Sequence, residues 1–156
     1  SSIMNKLLFF FLFFYLHVAN VYSDIIKPNT KIEPYNVVEI QLISLKNNDK
    51  PDKDFGIEQT WEFAHPENKI NTGPLNNFKK MLKNEIYSIL LNHKDHKIEE
   101  IFNNKKIAIY DVIILGSDNF YYEFKWQVER YDGKGSLNNC WLTTAVSNPV
   151  SLGASI

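Results

Sequence analysis

The chain has 156 residues, 44% of them apolar, 14% aromatic and 22% charged; this composition fits one folded domain and excludes a disordered tail or a fibrous repeat. With 17 basic against 18 acidic residues it carries no global positive field, so nucleic acid is not an expected partner. One cysteine, Cys140, excludes a disulfide-stapled scaffold and a zinc finger or ribbon, and neither a metal nor a cofactor is expected.

Residues Ser1 to Ile3 read as a short upstream extension before Met4. From Met4 the pattern is that of a secretory signal peptide: Lys6, an apolar run from Leu7 to Leu16, then Val21 and Ser23 at the −3 and −1 positions of a cleavage site. That run reaches only about 15 Å as a helix, against about 30 Å of bilayer hydrocarbon, so membrane attachment is expected only if the segment stays uncleaved. Losing residues 1 to 23 removes Lys6 alone among charged groups and leaves a net charge of about −2. The expected destination is the secretory pathway or the exterior; a plastid-type organelle reached by the same route is the alternative.

Residues 24 to 34, with two prolines, read as an extended lead-in, and one α+β domain is expected over 35 to 147. In YNVVEIQLISLKNN, Val38, Leu42 and Leu45 fall on one helical face, with Glu39, Gln41 and Lys46 assigned to the polar side. Asp54 is placed to cap a second helix, FGIEQTWEFA, which Pro66 ends. A turn-rich loop follows, and Pro74 opens a third helix carrying Leu75, Phe78 and Leu82. A short helix, EIYSILLNH, completes the helical half.

The apolar period then changes from near 3.6 to 2. KIEEIF and KKIAIYDVIIL are β-branched and aromatic runs separated by Asn103 and Asn104, and FYYEFKWQVER alternates Phe120, Tyr122, Phe124, Trp126 and Val128 against polar neighbours. NCWLTTAV supplies a last strand, and residues 148 to 156 read as a flexible tail. Helices followed by hairpin-linked strands imply an α+β fold, with N-terminal helices packed on a curved antiparallel sheet of about four strands.

A resemblance is carried by Asn48, Asp49, Pro51, Asp54, Gly56 and Ile57, by the stretch Trp61 to Leu82 with its TGPL core, by Leu90, Leu91 and His93, by Phe124 and Trp126, and by the closing CWLTTAV. From about Val38 to Val146 the chain resembles the family called domain of unknown function 4864. That resemblance implies the nuclear transport factor 2-like, or cystatin-like, cone, whose interior is either filled or opened as a pocket. It brings no assigned catalytic residue.

Two sets of side chains are candidates for chemistry. His65 and Asn68 lie in a loop, either as base and amide at a pocket rim or as turn and capping residues. Asp111 shares a strand face with Ile107, Ile109, Ile113 and Leu115, where an unpaired carboxylate is costly unless it serves a pocket. It is a candidate proton-abstracting base, with Tyr110 or Tyr122 as donor. The alternatives are a bulge that turns Asp111 outward, or an inner face built instead from Tyr110 and its neighbours. Trp61, Tyr122, Trp126 and Trp141 are core aromatics or walls of a ligand site. His93 and His96, spaced to share a metal on a helix, lack a third ligand nearby. Cys140 beside Trp141 reads as an inert buried thiol.

These features favour a non-enzymatic cone that binds a small apolar ligand or a protein partner, a second copy of the chain included. A small isomerase or hydrolyase using Asp111 or His65 is the alternative.

Overall fold

The computed structural model describes residues 24–156; the signal peptide expected at 1 to 23 lies outside them. Among the described residues four helices precede the sheet: α1 Pro34–Lys46, α2 Phe55–Glu62, α3 Pro66–Thr72 and α4 Leu75–Leu82. After a 3-10 turn at Ser88–Leu90 come β1 Asp95–Asn103, β2 Ile107–Leu115, β3 Phe120–Arg130, β4 Trp141–Val146 and β5 Val150–Ala154. The sheet is antiparallel, curved and unclosed, as an α+β fold with its helices first requires. No described helix is long and apolar enough to cross a membrane.

Pro34 begins α1 with a preset φ and no N–H to leave unpaired, and Lys46 closes it near the carbonyl end. Val37, Val38, Leu42 and Leu45 are fully buried. Gln41, assigned by its polarity to the wet side, is 1% exposed and lies among them. Residues 37, 38, 41, 42 and 45 form one continuous helical stripe, so geometry overrules residue type at this position.

The crossing of α1 and α2 depends on a missing side chain. A Cβ at Gly56 would stand 2.1 Å from the Ser44 carbonyl oxygen. Asn48 fastens the crossing: its Oδ1 accepts from the Ile57 amide at 3.0 Å, and its backbone oxygen accepts from the Gly56 amide at 2.8 Å. Asp54 adopts a left-handed φ of 62° and makes no side-chain cap bond, contrary to its expected role. Its carboxylate instead accepts from the Lys83 ammonium at 2.7 Å. Lys83 holds the Asp54 carboxyl below the usual range, against the opposing pull of burial.

Two expectations about local structure give way to long-range pairing. The turn-rich loop after Ala64 contains α3: Pro66 opens that helix, and His65 Nδ1 accepts from the Glu67 amide at 3.1 Å. The tail expected to fray forms β5, because β3 is longer than β4 and leaves the edge beside Phe120 to Glu123 free. β4 and β5 therefore line one edge of β3 end to end. Irregular register near Phe102, Val128 and Tyr122 marks bulges that bend the strands.

The inner face of β2 is built from Ala108, Tyr110, Val112 and Ile114, each fully buried. Opposite them across the ladder stand Val128, Trp126, Phe124 and Tyr122 of β3. Asp111 and its isoleucine neighbours take the outer face. The strand alternates as expected, but in the phase that puts Tyr110 inside.

Candidate functional site

The residues at the α2 to α3 joint are held by β4. The Thr143 amide donates to the Phe63 oxygen at 2.7 Å, and the His65 amide donates to the Thr143 oxygen at 2.9 Å. Asn68 on α3 then gives its two amide hydrogens to the Thr143 and Thr144 carbonyls, at 3.2 and 2.7 Å. The W-FA-P-N and CWLTTAV blocks, far apart in sequence, thus clasp one another.

Behind this clasp lies a cavity of about 270 Å³ between the helices and β3 and β4. Its floor is Gln41, Leu45, Leu90 and Trp126, all buried. Trp61 and Phe78 form an aromatic wall, their ring centroids 5.0 Å apart. The rim runs through half-buried Asn68, Thr72, Met81, Tyr87 and Val146.

The polar groups of the floor are occupied. Gln41 Oε1 accepts from Trp126 Nε1 at 2.9 Å and from Thr143 Oγ1 at 2.6 Å, while its Nε2 donates to the Thr60 oxygen at 3.2 Å. Tyr87 Oη donates to the Val146 oxygen at 3.1 Å. Among the described residues no buried side-chain nitrogen or oxygen lacks a partner. No Asp, Glu, Lys, Arg or His among the described residues lines the cavity. The wall can therefore exclude water and hold apolar surface, while Tyr87 is the only titratable side chain among the described residues that line it.

The sequence candidates divide between this cavity and other places. Trp61, Asn68 and Trp126 line it. His65 does not; it caps α3 and meets Tyr131 edge-on, ring centroids 5.3 Å apart. Tyr122 donates to Asp118 at 2.6 Å away from the cavity, and Trp141, 8% exposed, packs into the core elsewhere. Tyr110 is fully buried, donates to Glu100 at 3.1 Å and packs against Tyr35; burial and the Glu100 carboxylate push its hydroxyl pKa up.

Asp111 is the principal correction. It faces outward and accepts from the Lys125 ammonium at 2.7 Å, so the interior base considered for it gives way to the alternative, an inner face built from Tyr110 and its neighbours. Its cross-strand neighbour in β3 is Lys125 itself, which explains the pairing of this half-buried carboxylate.

His93 and His96 also differ from the helical arrangement considered for a metal. They flank the start of β1, with His93 Nε2 2.8 Å from His96 Nδ1 and His93 Nδ1 2.7 Å from the Leu90 oxygen. Because a carbonyl only accepts, Nδ1 of His93 carries the proton and neutral His93 accepts through Nε2. Burial lowers the His93 pKa to about 4. Among the described residues no three His, Cys, Asp or Glu side chains gather as a metal centre. Cys140 is buried, and burial raises its thiol pKa.

The residue that sequence reasoning missed is Gln41. Its signal was present: it falls three residues after Val38 and four before Leu45, on the buried stripe. In comparisons with known proteins, no family model, curated protein or solved structure matches the chain.

Proposed function

We propose that this protein is a non-enzymatic binder that takes a small apolar ligand into the cavity between its helices and sheet. The observation that carries the reading is a space of about 270 Å³ walled by aromatic, aliphatic and neutral polar side chains, with no charged group among the described residues that line it. Sites of this kind gain affinity from apolar area removed from water and orientation from a few fixed polar atoms. A proton-transfer enzyme needs a base at its reacting atom, and none of Asp111, His65 and Tyr110 borders this space.

The reading also includes a nuclear transport factor 2-like cone akin to domain of unknown function 4864, supported by the motif blocks and by the order of helices before a bent antiparallel sheet. Passage through the secretory route rests on the sequence of residues 4 to 23, and a fluorescent fusion with and without that segment tests it. Docking of a protein partner, or of a second copy, is the competing use of the domain.

The test is a titration with N-phenyl-1-naphthylamine, a neutral fluorescent probe. Saturable enhancement that is lost in Ala145→Phe, a substitution at the exposed rim of the cavity, supports the proposal. Equal enhancement in that variant, or none in the parent protein, counts against it.

A further inference from the structure

The polar atoms left over at the cavity rim narrow the chemistry of the ligand. Both hydrogens of the Asn68 amide are committed to the Thr143 and Thr144 carbonyls of β4. This fixes which way the amide is turned. Among the described residues Oδ1 has no hydrogen-bond partner, in a half-buried side chain that lines the cavity.

An amide held in this way can only accept. Tyr87 reinforces the bias, because its one hydrogen is directed to the Val146 oxygen and its free valence is a lone pair. Of the remaining polar groups one keeps a donor, the second Nε2 hydrogen of Gln41, and it lies on the floor of the cavity, away from the rim. Gln41 is 1% exposed and engaged through both amide heavy atoms, and the Thr72 hydroxyl is a rotor that gives or accepts. A carboxylate or phosphate at this rim would meet acceptors, and no cation in the lining would compensate its desolvation. A cation would find no counter-charge in the lining.

Resting on the ligand-binding reading above, we infer that the ligand is a neutral, mainly apolar molecule carrying a hydroxyl or N–H group, and that Asn68 selects it by accepting that hydrogen through Oδ1. The apolar body lies toward Leu45, Leu90 and Trp126, and the donor stays at the rim. The clasp that joins α3 to β4 is therefore also the specificity element: the bonds that hold the backbone orient the oxygen that reads the ligand.

The experiment uses three probes of one shape in isothermal titration calorimetry at pH 7: 2-naphthol, 2-methoxynaphthalene and 2-naphthoate. The expected order places 2-naphthol roughly fivefold or more tighter than 2-methoxynaphthalene, the difference that one net hydrogen bond makes. 2-Naphthoate should bind weakest. In Asn68→Ala the preference for naphthol over its methyl ether should vanish. Should that variant fail to fold, the side-chain amide resonance of Asn68 in the ¹⁵N-labelled parent supplies the readout, shifting with 2-naphthol and not with the ether. Binding of naphthol and ether with equal affinity, tightest binding of naphthoate, or an undiminished preference in Asn68→Ala overturns the Asn68 assignment while leaving an apolar cavity in place. Failure of all three to bind overturns the ligand-binding reading and this inference with it.

Discussion

The core has a closed side and an open side, built on the same sheet and against the same first helix. On the closed side, β2 presents Ala108, Tyr110, Val112 and Ile114 at 0% exposure, with Tyr35 packed edge-on against Tyr110. On the open side, α2, α3 and α4 span from α1 to β4 and leave about 270 Å³ unfilled. The second region is no packing fault, since its floor is a bonded web of Gln41, Trp126 and Thr143 whose polar atoms are matched. A void arising from careless packing would leave orphaned polar groups. Here a polar web holds walls apart, while large side chains fill the space beside them.

The sharpest way to break this division is at the α1 and α2 crossing, which supports both sides. Gly56→Ala places a methyl carbon 2.1 Å from the Ser44 oxygen and 2.8 Å from the Asn48 Cα, both backbone atoms that cannot turn aside. We expect a loss of about 3 kcal/mol or more, read as a fall in the midpoint of urea unfolding.

Acid attacks the strap before β1. Folded His93 titrates near pH 4, whereas its ordinary pKa is 6.5. The unfolded chain therefore binds the extra proton first. Stability is full above about pH 6.5, declines as pH falls through the window to 4, and levels below it; the two pKa values imply a loss of roughly 3 kcal/mol. His96, Lys46, Asp95 and Glu39 surround the pair, and the two cationic partners, His96 and Lys46, lower the His93 pKa further. His93→Gln should flatten this part of the pH profile of thermal unfolding.

A smaller effect sharpens the open side. Trp126→Phe keeps most of the ring but deletes the Nε1 hydrogen given to Gln41. The expected destabilisation is about 1 to 2 kcal/mol, measured by chemical denaturation, with a weaker response to apolar probes. The smallest effect belongs to the outer face. Asp111→Asn should change stability by less than about 1 kcal/mol, because it removes one exposed ion pair with Lys125, and it should leave probe binding unchanged.

Legibility followed the reach of the interactions involved. β3 reads directly from FYYEFKWQVER because Phe124, Trp126 and Val128 alternate with polar neighbours, and those three are buried. In IAIYDVIIL both faces of the strand are apolar, so alternation alone leaves the phase open. Asp111 itself was the best guide, since a lone carboxylate belongs on the wet side unless something pays for its burial. Pro66, Asn68, Asn71, Thr72 and Gly73 are locally turn-like, yet His65 and Pro66 also make a good helix start, and the contact with β4 fixes α3. β5 was hidden because its stability comes from the unfilled edge of β3, a property absent from residues 150 to 154 themselves. Of the candidate site, the aromatic walls were visible as Trp61 and Trp126. Gln41 was not, because hydrogen bonding to residues 85 and 102 positions away makes its burial tolerable.

The central claim is that the unfilled side of the core receives a small neutral apolar molecule. Titration of the ¹⁵N-labelled protein with N-phenyl-1-naphthylamine, followed by two-dimensional NMR, tests it most directly. The account predicts saturable shifts of the Trp126 indole N–H and of the amides from Thr143 to Val146, with the outer-face amides of Ile109 and Ile113 unmoved. Shifts confined to the outer face, or no saturable shift at Trp126, would contradict it.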